Sequence, residues 1–150
     1  MSEIEIEIDG NLVKANQGDS IISIADREGI DVPRFCYHKK LSVAANCRMC
    51  LVDVEGIPKA QPACSTPAAN GMKINTKNDK AKFAQKAVME FLLINHPLDC
   101  PICDQGGECE LQDVAMEYGS DVSKFNLGKR IVPDKGIGAL IQTDMTRCIH

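Results

Sequence analysis

Isoleucines alternate with acids at the start of the chain: Ile4, Ile6 and Ile8 stand between Glu3, Glu5, Glu7 and Asp9. A period of two predicts a strand with one buried face. Asp9-Gly10 is a hairpin turn signal, and Leu12 to Ala15 is the expected return strand. Gly18-Asp19-Ser20 offers a helix N-cap; the following IISIADREG carries apolar residues at helical spacing and ends at Gly29. Pro33 stops further helix and delivers the chain to Cys36. Leu51 to Glu55 reads as a strand closed by Gly56, and Pro62-Ala63-Cys64 as a short extended piece. Ser65 to Gly71 reads as a loop by composition, and Met72 to Thr76 as a final strand.

At Asp79 the period becomes helical. Phe83, Ala87, Val88, Phe91, Leu92 and Ile94 are expected on one broad apolar face, with Lys80, Lys82, Gln85 and Lys86 elsewhere. Pro97 ends this helix. A second helix is expected from Glu108 to Tyr118, with Gly119 past its end. Beyond Gly119 the pattern is weak and predicts an extended segment packed on something larger.

Composition changes this picture chiefly through cysteine. The chain has 150 residues, eight cysteines, no Trp and 4% aromatics. Many cysteines beside few aromatics suggest small units held together by metal. The acidic N-terminus shows no signal peptide, the apolar runs are too short to span a bilayer, and an intracellular protein is expected. In that setting eight cysteines favour metal over a disulfide framework. A net charge of -4 argues weakly against a nucleic-acid partner. Its distribution is uneven. Arg34 to Cys50 holds four cations and no acid; His96 to Glu117 holds six acids and neither Lys nor Arg. Most of these charges read as solvated surface, with electrostatic tuning of metal sites as the sharper reading.

Cys36, ten intervening residues, Cys47-Arg48-Met49-Cys50, and then Cys64 give the order lone cysteine, close pair, distant cysteine. Plant-type [2Fe–2S] ferredoxins use this order with a shorter first gap. Two irons need four thiolates, and the close pair is expected to offer both its sulfurs to one iron. Ser42, Ala44, Ala45 and Asn46 suit a loop curling round an inorganic core. Strand, hairpin, helix, cysteine loop and strands are the layout of a β-grasp ferredoxin of about eighty residues. His38, inside this loop, reads as an ordinary polar contact.

A second constellation, His96, Cys100, Cys103 and Cys109, lies between the two expected helices. By spacing it suits zinc as Cys3His or a [4Fe–4S] cluster. His96 reads equally well as a helix-end residue in a capping contact. Gly106-Gly107 permits a close backbone approach. Zinc is the plainer alternative throughout, but Cys36 and Cys64 fit no common zinc spacing. There is no Gly-rich dinucleotide fingerprint and no nucleophile or acid–base pair, so no catalytic residue is expected.

The segments FCYH, CRMCLVDVEG, ACSTP and GM, followed by NHPLDCPICDQGGECELQD, closely resemble the N-terminal part of one family of respiratory proteins. That family is the large iron–sulfur subunit in the peripheral arm of bacterial NADH:quinone oxidoreductase, respiratory complex I. The resemblance continues through GSD, GKR and TDMTRCIH; related segments occur in NAD-linked hydrogenases and formate dehydrogenases. It implies an α+β chain: a β-grasp [2Fe–2S] ferredoxin-type domain over 1–78, a small helical His/Cys3 [4Fe–4S] domain over 79–119, and an extended tail over 120–150. It implies Cys36, Cys47, Cys50 and Cys64 as ligands of the [2Fe–2S] cluster, and His96, Cys100, Cys103 and Cys109 as ligands of the [4Fe–4S] cluster. Cys148 would open a third, truncated cluster motif, so the chain reads as a fragment, with further [4Fe–4S] clusters in the full-length subunit. The implied function is carriage of single electrons between clusters from NADH towards quinone, as part of an enzyme but with no complete active site here. The implied partners are other peripheral-arm subunits, with no nucleic acid, no direct membrane insertion and no direct NADH binding. The implied place is the cytoplasmic face of the inner membrane. The rivals are the equivalent hydrogenase or formate dehydrogenase subunit and, in a different class, a zinc-stabilised interaction module.

Overall fold

The computed structural model describes residues 2–149, which divide into two compact units at the step from Val88 to Met89. In the first unit, β1 (Glu3–Ile8) and β2 (Asn11–Asn16) form an antiparallel hairpin. Asp9 and Gly10 both have positive φ, at 49° and 85°, as the expected tight turn requires. Ile6 and Ile8 point into the core while Glu3 and Glu5 face solvent, as the alternation predicts.

Helix α1 (Ile21–Arg27) follows, capped by Ser20, whose Oγ accepts the Ser23 amide at 3.4 Å. Gly29 lies just past its end at φ 69°. Strands β3 (Leu51–Val54), β4 (Gln61–Pro62) and β5 (Lys73–Asn75) complete a five-stranded sheet of order β2-β1-β5-β3-β4. β1 runs parallel to β5 and every other pairing is antiparallel. Ile21, Ile22, Ile24 and Ala25 of α1 share one buried cluster with Ile4, Ile6, Ile8, Val52, Val54 and Ile74 of the strands. The predicted α+β, ferredoxin-like arrangement is therefore the one observed. One local expectation was misplaced: the extended piece is Gln61–Pro62, and Cys64 sits in the turn after it.

Helix α2 (Asp79–Leu93) begins at Asn78, whose Oδ1 accepts the Ala81 amide at 2.9 Å. Its expected apolar face is wrong in part. Phe83 and Phe91 are 76% and 73% exposed, whereas Ala81, Gln85 and Met89, spaced by four, are the buried residues. Gln85 turns inward because open carbonyls need a donor: its Nε2 reaches Leu51 O at 3.0 Å and Thr76 O at 3.5 Å.

In the second unit, α3 (Glu110–Tyr118) is capped by Cys109, two residues later than expected. Glu110 and Asp113 in its first turn complement the positive end of the helix dipole. Gly119 is extended, and a Cβ there would lie 2.4 Å from Ala115 O, so close approach, not a left-handed cap, requires glycine. The tail is extended apart from one turn of 3-10 helix, Met145–Arg147. It doubles back on itself, with Thr146 Oγ1 accepting from Val132 N at 3.1 Å and Thr143 Oγ1 accepting from Lys135 N at 3.2 Å. Among the described residues, no helix is long and apolar enough to cross a membrane.

Candidate metal centres

The first centre forms where the long loop between α1 and β3 returns to the sheet. Arg34 fixes its start by a two-pronged contact with Asp26, at 2.7 and 2.6 Å, and lies 5.7 Å from the Tyr37 ring centroid. One of the four cations counted in this loop is thereby neutralised. His38 Nδ1 accepts the Lys40 amide at 3.2 Å, the ordinary loop contact expected of it. Ala45 and Arg48, both non-glycine, hold left-handed backbone at φ 52° and 60°. Such residues cost on the order of 1–3 kcal/mol each and persist only where the surroundings fix them. Sequence reasoning missed both.

Cys47, Cys50 and Cys64 are buried and Cys36 half-buried. Burial acts to raise the Cys36 thiol, but the amides of Cys47, Asn46 and Cys36 itself, with the Cys47 side chain, outweigh it and hold it below the ordinary thiol range. Burial pushes the Cys50 thiol up to about 12, with Cys64 and Cys47 nearby adding to the rise. Cys47 acts on the Cys36 thiol, and Cys64 and Cys47 act on the Cys50 thiol, so the four cysteines sit near one another.

The second centre is a cavity of about 160 Å³ lined by His96, Cys100, Cys103, Cys109, Asp99 and Arg147, among others. The four sequence-predicted side chains are therefore brought together. Pro101 and the Asp99 carbonyl, which accepts from Ile102 N at 2.9 Å, shape a 3-10 turn (Cys100–Ile102) carrying Cys100. Gly106 N then donates to Cys103 O at 2.9 Å, and Gly107 N to Gln112 Oε1 at 3.0 Å, closing the loop onto α3. A Cβ on Gly106 would sit 2.5 Å from Cys100 O, so this turn has no room for a side chain. Burial, aided by Lys129, lowers the His96 pKa and favours the neutral imidazole. Its Nδ1 is buried and makes no hydrogen bond.

A family described as "2Fe-2S iron-sulfur cluster binding domain" matches residues 1–79, more than half of the 150. The chain belongs to this family. A second, described as "NADH-ubiquinone oxidoreductase-G iron-sulfur binding region", matches residues 85–124. The chain thus carries a 2Fe–2S binding domain followed by a 4Fe–4S binding region. It is 51% identical over 152 residues, all of its length, to "NADH-ubiquinone oxidoreductase 78 kDa subunit, mitochondrial" of Candida albicans. It is 56% identical over 147 residues, 98% of its length, to "NADH dehydrogenase [ubiquinone] iron-sulfur protein 1, mitochondrial" of Solanum tuberosum. It spans only 21% and 20% of these relatives. A solved structure of an NAD+-reducing [NiFe]-hydrogenase superposes with a TM-score of 0.87 at 24% identity, covering 97% of this chain and 62% of that one. At that identity the likeness speaks to the fold.

Both donor sets fit the clusters of these families. Among the described residues, no three His, Cys, Asp or Glu side chains close on one point as a single ion requires. At the second centre the thiols stand round a cavity instead. A thiol as hard to ionise as Cys50 becomes a thiolate only beside a strong cationic partner, which iron supplies. At the second centre, three thiols and one neutral nitrogen without a hydrogen bond face a common cavity, a donor set suited to iron–sulfur ligation.

Proposed function

We propose that the chain is an electron-transfer segment of NADH:quinone oxidoreductase, respiratory complex I, passing single electrons between two clusters on the way from NADH to quinone. In this reading Cys36, Cys47, Cys50 and Cys64 hold a [2Fe–2S] cluster within a domain of residues 1–78. His96, Cys100, Cys103 and Cys109 hold a [4Fe–4S] cluster within residues 79–119, and residues 120–150 lead towards a further cluster domain. Each cluster, when bound, supplies a one-electron couple. The protein's part is to fix the ligands, aim amides at sulfur and keep water from the metal. The chain neither binds NADH nor carries a catalytic residue. Its partners are other peripheral-arm subunits, and its place is the cytoplasmic face of the inner membrane or the equivalent face in mitochondria. The observation that carries this reading is the His/Cys3 cavity in a chain matched from end to end by relatives named as subunits of that oxidoreductase. The fold likeness to a hydrogenase supports the equivalent hydrogenase subunit as a second reading, at much lower identity.

Low-temperature EPR of the dithionite-reduced, anaerobically reconstituted chain tests the ligand sets. Two signals are expected, one binuclear and one tetranuclear. His96→Ala should remove the tetranuclear signal and spare the other. His96→Cys should keep a tetranuclear signal at lower potential, because a thiolate adds negative charge where imidazole was neutral. If both variants kept wild-type iron content and potential, His96 would not be a ligand.

A further inference from the structure

The six acids between His96 and Glu117 suggest a strongly negative second site, but the structure surrounds it differently. Asp104, Glu108, Glu110, Asp113 and Glu117 are exposed, where solvent and salt screen them. The charged groups at the cavity wall are Asp99 and Arg147. Arg147 comes from the far end of the tail. Its Nη2 and Nε lie 3.3 and 3.4 Å from Asp99 Oδ2, and its Nε 2.8 Å from Asp144 Oδ2. The side chain is only 25% exposed. Burial opposes its charge, but Asp144, Asp99 and Cys103 outweigh burial and hold the guanidinium above its ordinary pKa. Cys103 and this guanidinium line the same cavity. A second tail cation, Lys129, donates to Leu93 O at 2.8 Å and Ile94 O at 3.0 Å, next to His96.

We propose that Arg147 is an electrostatic positioning residue for the [4Fe–4S] centre, raising its reduction potential by offsetting Asp99 at the cavity wall and Asp144, which pairs with it. The proposal rests on the assignment of His96, Cys100, Cys103 and Cys109 as ligands. Reduction adds one negative charge to the cluster, so a nearby cation stabilises the reduced form and unbalanced carboxylates destabilise it. Arg147 does both jobs at once, since removing it leaves two carboxylates uncompensated.

The test is potentiometric EPR on the full chain with both clusters reconstituted. Arg147→Gln should lower the midpoint of the tetranuclear centre while the binuclear midpoint and iron content stay at wild-type values. Arg147→Lys, which keeps the charge without the fork, should recover most of the shift. Asp99→Asn should move the same midpoint upward. A tetranuclear midpoint unchanged in Arg147→Gln, or equal shifts in the Lys and Gln variants, would overturn the proposal. Should the Gln variant fail to assemble that centre, Asp99→Asn decides: an upward shift supports the charge role and no shift sinks it. A wild-type chain without a tetranuclear signal, or a signal surviving His96→Ala, would defeat the underlying ligand assignment instead.

Discussion

In residues 2–88, seventeen buried side chains from the sheet, α1 and the loops form one cluster, and Cys50 and Cys64 are members of it. In residues 89–149 the buried apolar side chains are Met89 and Leu111, and the three cysteines that line the cavity are exposed or half-buried. The first centre is built into a hydrophobic core that exists for other reasons. The second takes the place of one. Burying a large aliphatic side chain stabilises by roughly 1.5–3 kcal/mol, so the first unit has a source of folding energy that the second lacks. Metal ligation can supply that energy in small units. The cysteine-rich, aromatic-poor composition suggests metal dependence for the whole chain; the distribution of buried apolar side chains leads us to expect more of it in the second half.

The strongest way to break this contrast is to take the metal away. Anaerobic chelation of iron from the full chain, followed by amide hydrogen exchange, should leave the amides of β1, β5 and α1 protected. Those of α3 and of the Asp99–Cys109 loop should exchange at close to unfolded rates. If both halves lost protection together, the first core would be no more independent than the second.

Next in size is a pair of substitutions. Ile6→Ala removes a side chain that is 1% exposed, at a cost of about 2–5 kcal/mol to the first unit. It should leave the tetranuclear EPR signal in place. Gly106→Ala puts a Cβ 2.5 Å from Cys100 O and 3.1 Å from Cys103 O, forcing apart the turn that carries two of the proposed ligands. It should abolish the tetranuclear signal, spare the binuclear one and hardly alter melting of the first unit. Crossed effects would mean that the two units share their stability.

The same contrast explains what could be read from sequence. The hairpin was legible because Ile4, Ile6 and Ile8 repeat with the period of the strand they form, and α1 because Ser20 caps it. The cysteines we propose as ligands stood out because iron–sulfur ligation demands thiols at restricted spacings. The inward face of α2 was not. Counting apolar residues favoured Phe83 and Phe91, but the Leu51 and Thr76 carbonyls needed a donor, and Gln85 supplies it. The left-handed backbone at Ala45 and Arg48 was also hidden, since neither residue type advertises positive φ. Charge at the second centre misled for a related reason. Six local acids were visible, while the cation that faces the cavity arrives from position 147, through a fold that no local window contains.

The smallest effect concerns the anchor that starts α2 on the first unit. Asp53 Oδ1 pairs with Lys80 Nζ at 2.6 Å, and Asp53 Oδ2 accepts from Asn78 Nδ2 at 2.8 Å. Lys80 also donates to Ile57 O at 2.7 Å, so the ammonium is held from two sides. Lys80, and then Asn78, hold the Asp53 carboxyl below the usual carboxylate range against the opposing effect of burial. Because the folded pKa is depressed, the pair's contribution is fully present above the unfolded value of about 3.9. It is lost as the pH falls below that value through the folded pKa. Lys80 is partly open to solvent, at 38% side-chain exposure, so the contribution is about 1 kcal/mol and not more. Asp53→Asn should therefore lower the melting temperature of the first unit by a few degrees at neutral pH. The gap to wild type should close as the pH falls below about 3.9. Both proteins lose their clusters alike in acid, so the difference between paired melts isolates the carboxylate. A gap of the same size at neutral and acid pH would make the loss one of packing, and the anchor would then owe nothing to charge.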